Sequence, residues 1–370
     1  MSVMFVTHSL ADGGTDRVAV HLANGFALTC PTTLIVARSI DRSGALAQMI
    51  ATAVQLVSFG RTMPDRTLDL LSALPGLIAE VRRRRPDKIV ATGNNNSLFA
   101  YVGHLFNPNP AGRFFVKITN PIIREGDGWF KSAFRRTLYR GVLGRCARIL
   151  VLSEGEQAIV AGLYPHFQSR IRVVQNPYVT ERMLSAPSRR TASADGTRFL
   201  AIGRLHAQKN FALLLDAWAA ADIEGATLAI AGEGPQREML ERKAAELGIS
   251  GSLSFLGFRS DIENLLASSA ALVLSSDYEG LPAVVLEAFA ASCPVISTDC
   301  FPAAHELIGE AEGCVVVPRR DPVALAEALR KVAESKQLTV PSLREKALPY
   351  SNDGAVRSHM DALETPPTGV

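Results

Sequence analysis

Covalent staples are scarce in this chain. Its 370 residues include five cysteines (Cys30, Cys146, Cys293, Cys300, Cys314), an odd number, scattered and without a C-x-x-C pair. A disulfide framework and a zinc site are thereby excluded from expectation, and a reducing, cytoplasmic setting is favoured. Long apolar runs are missing too. Nowhere do about 18 consecutive apolar residues occur, so no spanning helix is predicted. The opening Met1–Val6 lacks a basic segment and its apolar run is short, so no secretory leader is predicted either. There is no Asp-x-Asp and no His/carboxylate cluster at ligand spacing, which makes a metal unexpected. No nucleic-acid-binding motif is present, so nucleic acid is not an expected partner.

What remains is apolar and unevenly charged. Hydrophobic residues make up 47% against 20% charged, a globular balance, and the length predicts two domains, each with its own core. The net charge of +3 conceals an asymmetry: residues 1–185 hold 22 Lys and Arg against 12 Asp and Glu, and residues 186–370 hold 17 against 24. A basic half preceding an acidic one points to an anionic partner for the first half, such as a membrane surface or a phosphorylated substrate.

Strand-like runs at 3–6, 33–37, 54–59, 88–92, 114–118, 148–152 and 171–175 alternate with helical patterns at 16–28, 67–84, 96–106 and 130–145. Alternation of this kind predicts an α/β fold with a parallel sheet covered on both faces. The second half repeats it, with strands predicted at 198–203, 227–231, 253–256, 270–274, 295–298 and 315–317. The boundaries read as a first domain over 1–180, a polar linker over 181–197, a second domain over 198–348 and a tail over 349–370.

The most informative stretch is Glu279-Gly280-Leu281-Pro282-Ala283-Val284-Val285-Leu286-Glu287. It reads as a loop entering a helix, with Pro282 near the first helical position. Glu287 is a carboxylate among apolar neighbours and needs a partner, either a structural one or a bound polyol phosphate. In Gly203-Arg204-Leu205-His206-Ala207-Gln208-Lys209-Asn210, Arg204 and Lys209 follow a strand and can converge on a diphosphate; alone, each would read as a solvated cation. Gly13-Gly14 follows the first strand, where backbone amides can approach an anion, although most such pairs are tight turns. Arg82–Arg85 ends a helix and reads as cations favoured there. Trp129–Arg140 is basic and interleaved with aromatics, as in a membrane-surface segment, with its charges not confined to one face.

Taken together, Gly203-Arg204-Leu205 with Lys209-Asn210, Ala231-Gly232-Glu233-Gly234-Pro235, Phe255-Leu256-Gly257-Phe258 and Glu279-x7-Glu287 resemble, in order and spacing, the retaining glycosyltransferases of family 4 (group 1). Gly13-Gly14-Thr15-Asp16-Arg17 matches that family's acceptor-side loop. The likeness spans residues 1–340 and is strongest over 198–325. It implies a GT-B fold, two Rossmann-like domains with parallel sheets facing an interdomain cleft, and a tail that crosses back to the first domain. Carried over by position, Gly203 belongs to the donor loop, Arg204 and Lys209 neutralise a diphosphate, and Glu287 holds ribose hydroxyls. Glu279 contacts the transferred sugar, the amides of Gly280 and Leu281 approach the leaving phosphate, Gly257 and Phe258 meet the nucleobase, and Gly14 lets the first domain approach the phosphate.

One departure is Asn120, where many relatives carry a histidine. An amide cannot titrate, and His8 is the alternative acceptor-side candidate, with a hydrogen-bonded loop histidine as its blander reading. The expected reaction is therefore metal-independent, cofactor-free transfer from a nucleotide sugar, a UDP-sugar by preference, to a hydroxyl acceptor with retention. The segment Ile296–Cys300 leans towards hexosamine donors. The basic first half favours a lipid-linked acceptor in polysaccharide or glycoconjugate synthesis, with peripheral contact at the inner membrane face. A nucleotide-sugar epimerase and a non-catalytic nucleotide-sugar-binding scaffold are the rival readings.

Overall fold

The computed structural model describes residues 1–10, 14–59, 63, 65–123, 128–185, 197–335 and 340–364, with Asn95 by its backbone alone. The chain folds as two units, Met1–Pro177 with Asn352–Val370, and Tyr178–Ser351.

In the first unit β1 (Val3–Thr7), α1 (Gly14–Ala27), β2 (Thr32–Val36), α2 (Ala45–Gln48), β3 (Val54–Ser58) and α3 (Arg66–Arg84) lead to β4 (Lys88–Ala91). Then follow α4 (Ser97–Leu105), β5 (Arg113–Lys117), α5 (Trp129–Leu143), β6 (Arg148–Val151), α6 (Glu154–Leu163) and β7 (Ile171–Val173). The strands form one sheet in the order β3-β2-β1-β4-β5-β6-β7, every pairing parallel. Strands β1, β2, β4 and β6 are buried along their whole length, which is why they read as unbroken apolar runs rather than alternating ones. Beneath one face lie Leu77 and Val81 of α3 with Phe99 of α4, against Met4, Ile89 and Phe114. Asp65 caps α3 by accepting from the amides of Thr67 and Leu68, and Arg85 closes it in the left-handed conformation at φ 50° before Pro86. Within that last turn Arg83 and Arg84 pair with Glu80 at 2.7 and 2.6 Å, a local use of the arginine run.

The second unit opens with α7 (Glu181–Ser185), inside the stretch expected to be all linker; residues 186–196 of that stretch lie outside the described residues. There follow β8 (Arg198–Ile202), α8 (Phe211–Ala221), β9 (Thr227–Ala231), α9 (Arg237–Glu246), β10 (Leu253–Gly257), α10 (Ile262–Ala267) and β11 (Ala271–Leu274). It continues through α11 (Ala283–Ala290), β12 (Val295–Thr298), β13 (Val315–Val317), α12 (Pro322–Glu334) and α13 (Ser342–Ala347). The sheet order is β10-β9-β8-β11-β12-β13, again all parallel. The boundaries fall at 177/178 and 351/352 because Tyr178 and Val179 both donate to the Tyr350 carbonyl at 3.0 Å, and Val179 pairs with Ser351.

Helix α14 (Asn352–Glu364) belongs to the first unit. Val356 lies so close to Gly25 of α1 that a Cβ there would sit 2.3 Å from its Cγ2. Lys88 Nζ donates to the Leu363 carbonyl at 2.8 Å, satisfying the helix end, and buried Lys117 Nζ lies 3.0 Å from His359 Nε2. Among the described residues no helix is long and apolar enough to cross a membrane.

Each sheet reverses its strand order once, at β1/β4 and at β8/β11. Crevices outside the carboxyl ends of the strands at such switch points are where open parallel sheets hold ligands.

Candidate active site

At the switch point of the second unit, three loops are laced by backbone. Gly203 donates to Ala231 (3.0 Å), Leu205 to Glu233 (2.8 Å), Gln236 to Leu205 (3.1 Å) and Gly232 to Gly257 (2.8 Å). A Cβ on Gly232 would stand 1.9 Å from the Gly203 carbonyl oxygen, and one on Gly234 2.4 Å from that of Leu205. Their φ values, +146° and +159°, also disfavour any side chain. The G-E-G after β9 is thus the surface on which the Gly203–Leu205 turn rests.

Lys209 runs across that turn. A Cβ on Gly203 would meet its stem at 3.0 Å, so the missing side chain is the bed for the lysine. The ammonium reaches Glu279 Oε1 at 2.6 Å, where Ser276 Oγ also donates at 2.8 Å. Gln208 Nε2 donates to the Tyr278 carbonyl at 2.8 Å and lies 3.5 Å from Glu279 Oε2. Asn210, at φ 45°, caps α8 through Leu213 N and sends its amide to Asp277 at 3.1 Å. Ser275 Oγ to the Lys209 carbonyl (2.9 Å) and Asp277 N to that of Gln208 (2.9 Å) complete the seam. Two loops far apart in sequence therefore form one polar platform, with Lys209 and Glu279 paired on it. Arg204 stands exposed beside it, as does Phe258 at 77%.

Helix α11 rises from this platform. Pro282 is its N-cap, one position before the first helical residue, and the amides of Gly280 and Leu281 have no hydrogen-bond acceptor among the described residues. Such amides at a helix start can hold an anion. Glu287 is 7% exposed, flanked by Val285, Leu286, Ala288 and Phe289, all buried. Glu279 is anchored by its own amide on the Cys300 carbonyl at 2.7 Å; burial pushes the Cys300 thiol up to about 11, so it stays protonated.

The first unit gathers a second polar site at its own switch point, a cavity of about 210 Å³ lined by, among others, His8, Asp16, Arg66, Asn94, Thr119 and Asn120. His8 Nε2 lies 3.2 Å from Asp69 Oδ2. A carboxylate only accepts, so the Nε2 proton points at Asp69 and leaves Nδ1 free to accept from a hydroxyl. Burial, reinforced by the Arg66 charge, lowers the His8 pKa against the opposing pull of Asp69, which keeps the ring neutral. Asn94 Oδ1 accepts from the amides of Thr119 (2.7 Å) and Asn120 (3.2 Å), and its Nδ2 donates to the Asn120 carbonyl (2.7 Å). Asn120 is therefore fixed by its backbone, and its side chain is exposed. Gly14 opens α1 with no atom within 4 Å of where a Cβ would lie. Gly13 lies outside the described residues.

The structure brings Lys209 and Glu279 into contact, places Gly280 and Leu281 at the entry to α11 and Glu287 within it, and packs Ser276 and Gln208, which the sequence did not single out, against Glu279. Sequence reasoning missed Asp69 entirely. That carboxylate is 1% exposed on the inner face of α3, in the first turn, where an acid needs no further explanation.

The family described as glycosyl transferases group 1 matches residues 188–348. The chain carries a group 1 glycosyl transferase domain. It is similar to the lipopolysaccharide core biosynthesis glycosyltransferase LpsE of Rhizobium meliloti (strain 1021), 29% identical over 294 residues, 79% of this chain and 77% of the relative. It is also similar to a Campylobacter jejuni α-1,4-N-acetyl-D-galactosaminyltransferase named for a diphospho-undecaprenol-linked acceptor, 25% identical over 342 residues, 90% of this chain and 89% of the relative. Among solved structures, Anabaena HepE in complex with UDP-glucose superposes with a TM-score of 0.79 at 17% identity, covering 98% of this chain and 99% of that one. Two parallel-sheet Rossmann-like units of this kind are the GT-B glycosyltransferase architecture, as the sequence resemblance implied. The Gly203–Lys209 turn, the G-E-G loop and the Glu279–Glu287 element all fall within the residues matched to the group 1 family. Among the described residues, no three His, Cys, Asp or Glu side chains gather as a metal site.

Proposed function

We propose that this glycosyl transferase moves a sugar from a UDP-sugar to a hydroxyl of a lipid-linked glycan precursor, with retention and without a metal. The observation that carries the reading is the paired platform: a lysine on a carboxylate beside the amides that lead into a helix, with a buried glutamate about one turn inside it. In the reaction the anomeric carbon–phosphate oxygen bond breaks and the diphosphate gains charge. Arg204, Lys209 and the amides of Gly280 and Leu281 are suited to hold that charge in place. Lys209 spans both demands, since the carboxylate it touches is placed to meet the sugar that is transferred. Glu287 holds the ribose hydroxyls, and Gly257–Phe258 the base. The acceptor oxygen bonds to the same face of the anomeric carbon, its proton passing to the departing phosphate oxygen.

In the first unit His8 Nδ1 orients an acceptor hydroxyl, and Asn120 adds a non-titrating contact. The lipid-linked acceptor is supported by the basic first half and by the printed substrate of the Campylobacter relative. A hexosamine remains the favoured transferred sugar within the UDP-sugars, on the Ile296–Cys300 segment.

The test is incubation with a panel of labelled UDP-sugars and a membrane-lipid extract, with and without EDTA. Transfer to extractable lipid at an undiminished rate in EDTA, with the anomeric configuration kept, is the expected result. Free epimerised sugar nucleotide without acceptor, or donor binding without turnover across the panel, would overturn it.

A further inference from the structure

Helix α5 meets the polar sites only through Tyr139, which donates to the Asn94 carbonyl at 3.1 Å, and its first half is open to solvent. Of its residues only Val142 and Leu143 are buried. Trp129, Phe130 and Phe134 are 74%, 81% and 68% exposed. Three large aromatic side chains in water within two turns are unusual for a surface and mark one that something covers. The Trp129 and Phe130 rings pack edge to face, 4.5 Å between centroids, so the wedge is already formed.

Charge says what covers it. Residues 128–147 contain five cations (Lys131, Arg135, Arg136, Arg140, Arg145) and no Asp or Glu. The exposed aromatics Trp129, Phe130 and Phe134 lie in the first half of the helix together with Lys131 and Arg135, and Arg136 and Arg140 follow. With a rise of 1.5 Å per residue, Trp129 and Arg136 stand about 10 Å apart along the axis, so a helix that enters the interface start first carries its aromatics about that far below its arginines. Arg136 and Arg140 have no carboxylate partner among the described residues. They open instead onto a groove of about 420 Å³ shared with Tyr164, His166 and Phe167. Its far wall is braced: Tyr164 donates to the Arg136 carbonyl at 3.3 Å, and Arg170 lies over Phe167 at 4.5 Å. The exposed aromatics gather at the start of the helix, which suits insertion into an interface.

We propose that α5 seats this protein on an anionic phospholipid bilayer, with Trp129, Phe130 and Phe134 entering the interface while Arg136, Arg140 and the groove beside them take lipid phosphates. The assignment deepens the lipid-linked acceptor reading and rests on it only for its purpose, since the binding itself needs no donor.

The test is flotation of the full chain with vesicles of phosphatidylcholine alone and of phosphatidylcholine mixed with phosphatidylglycerol, with tryptophan emission recorded. The chain has two tryptophans, and Trp218 is 4% exposed in the second unit, so a spectral change reports Trp129. The expected result is partition onto the mixed vesicles only, weakened by salt, with a blue shift. Arg136→Glu with Arg140→Glu should lower partition by about tenfold or more. Phe130→Ser with Phe134→Ser should abolish the stable insertion that the blue shift reports. Both pairs should keep wild-type circular dichroism and UDP binding.

Equal partition onto neutral vesicles, flotation without an emission shift, wild-type partition of the arginine pair, or the same shift with a single-stranded oligonucleotide or inorganic phosphate alone would overturn the proposal. If vesicles fail while UDP-sugar turnover persists, only this proposal falls. If vesicles bind and no UDP-sugar is used, the transferase reading falls and the membrane surface stands.

Discussion

Two carboxylates and two lysines carry most of the chemistry at the residue scale. Glu279 shares one oxygen between Lys209 and Ser276, so its position is fixed before any substrate arrives. Glu279→Gln keeps the shape and removes the charge. Transfer is expected to fall by ~100-fold, as for loss of one preorganised electrostatic contact, with UDP affinity nearly unchanged by calorimetry. Loss of all UDP affinity in that variant would contradict the division between sugar and nucleotide contacts. Lys117 is a different case. Burial lowers its pKa from 10.5 to about 7. Between those values the unfolded chain holds a proton that the folded chain has released, so stability rises with pH over that window. Glu156, pushed up from 4.5 to about 7, acts below it: the folded state holds the extra proton, and stability falls as pH rises towards 7. Urea titrations should show wild type gaining stability from about pH 7 to 9, with Lys117→Met losing that gain, a difference on the order of a few kcal/mol. The same rise in both would contradict it.

At the scale of elements, the glycines after β9 show why order in a motif reflects packing. Gly232→Ala would drive a Cβ to within 1.9 Å of the Gly203 carbonyl. The Gly203–Leu205 turn would shift and take Lys209 with it. A loss on the order of 3 kcal/mol or more in the second unit, or UDP affinity lost with the fold retained, is expected; wild-type values in both melting and titration would rule this packing out. The strands of both sheets were legible because burial on both faces writes them as apolar runs, and β9, β12 and β13 fall where the pattern predicts. Helix α6 was not among the helical patterns; Ser153 caps it, accepting from Glu156 N. The platform's charged residues were visible by their loops. Asp69 and the Asn94 lattice were not, because they depend on β1, α3, β4 and β5 meeting across the sheet, and spacing in sequence says nothing of that.

For the whole molecule, the first unit is closed by a helix that follows the second unit in sequence. Ala355, Val356, His359, Ala362 and Leu363 of α14 are buried there. A chain ending at Ser351 exposes their partners, a loss of several kcal/mol against a typical domain stability of about 5–15 kcal/mol. Trp218 is buried in the second unit, so its emission follows that unit while circular dichroism follows both. The first unit should melt much earlier in the truncated chain while the second still binds UDP; an unchanged first transition would contradict the docking of α14. The central claim concerns that second unit: a nucleotide-sugar site built on Glu287 and the start of α11. Calorimetric titration of UDP, in EDTA, into wild type and Glu287→Ala tests it most directly. The account predicts binding by wild type and at least tenfold weaker binding by Glu287→Ala, the loss of a charge-assisted hydrogen bond to ribose. Absence of UDP binding by wild type, or equal affinities in the two proteins, would contradict it.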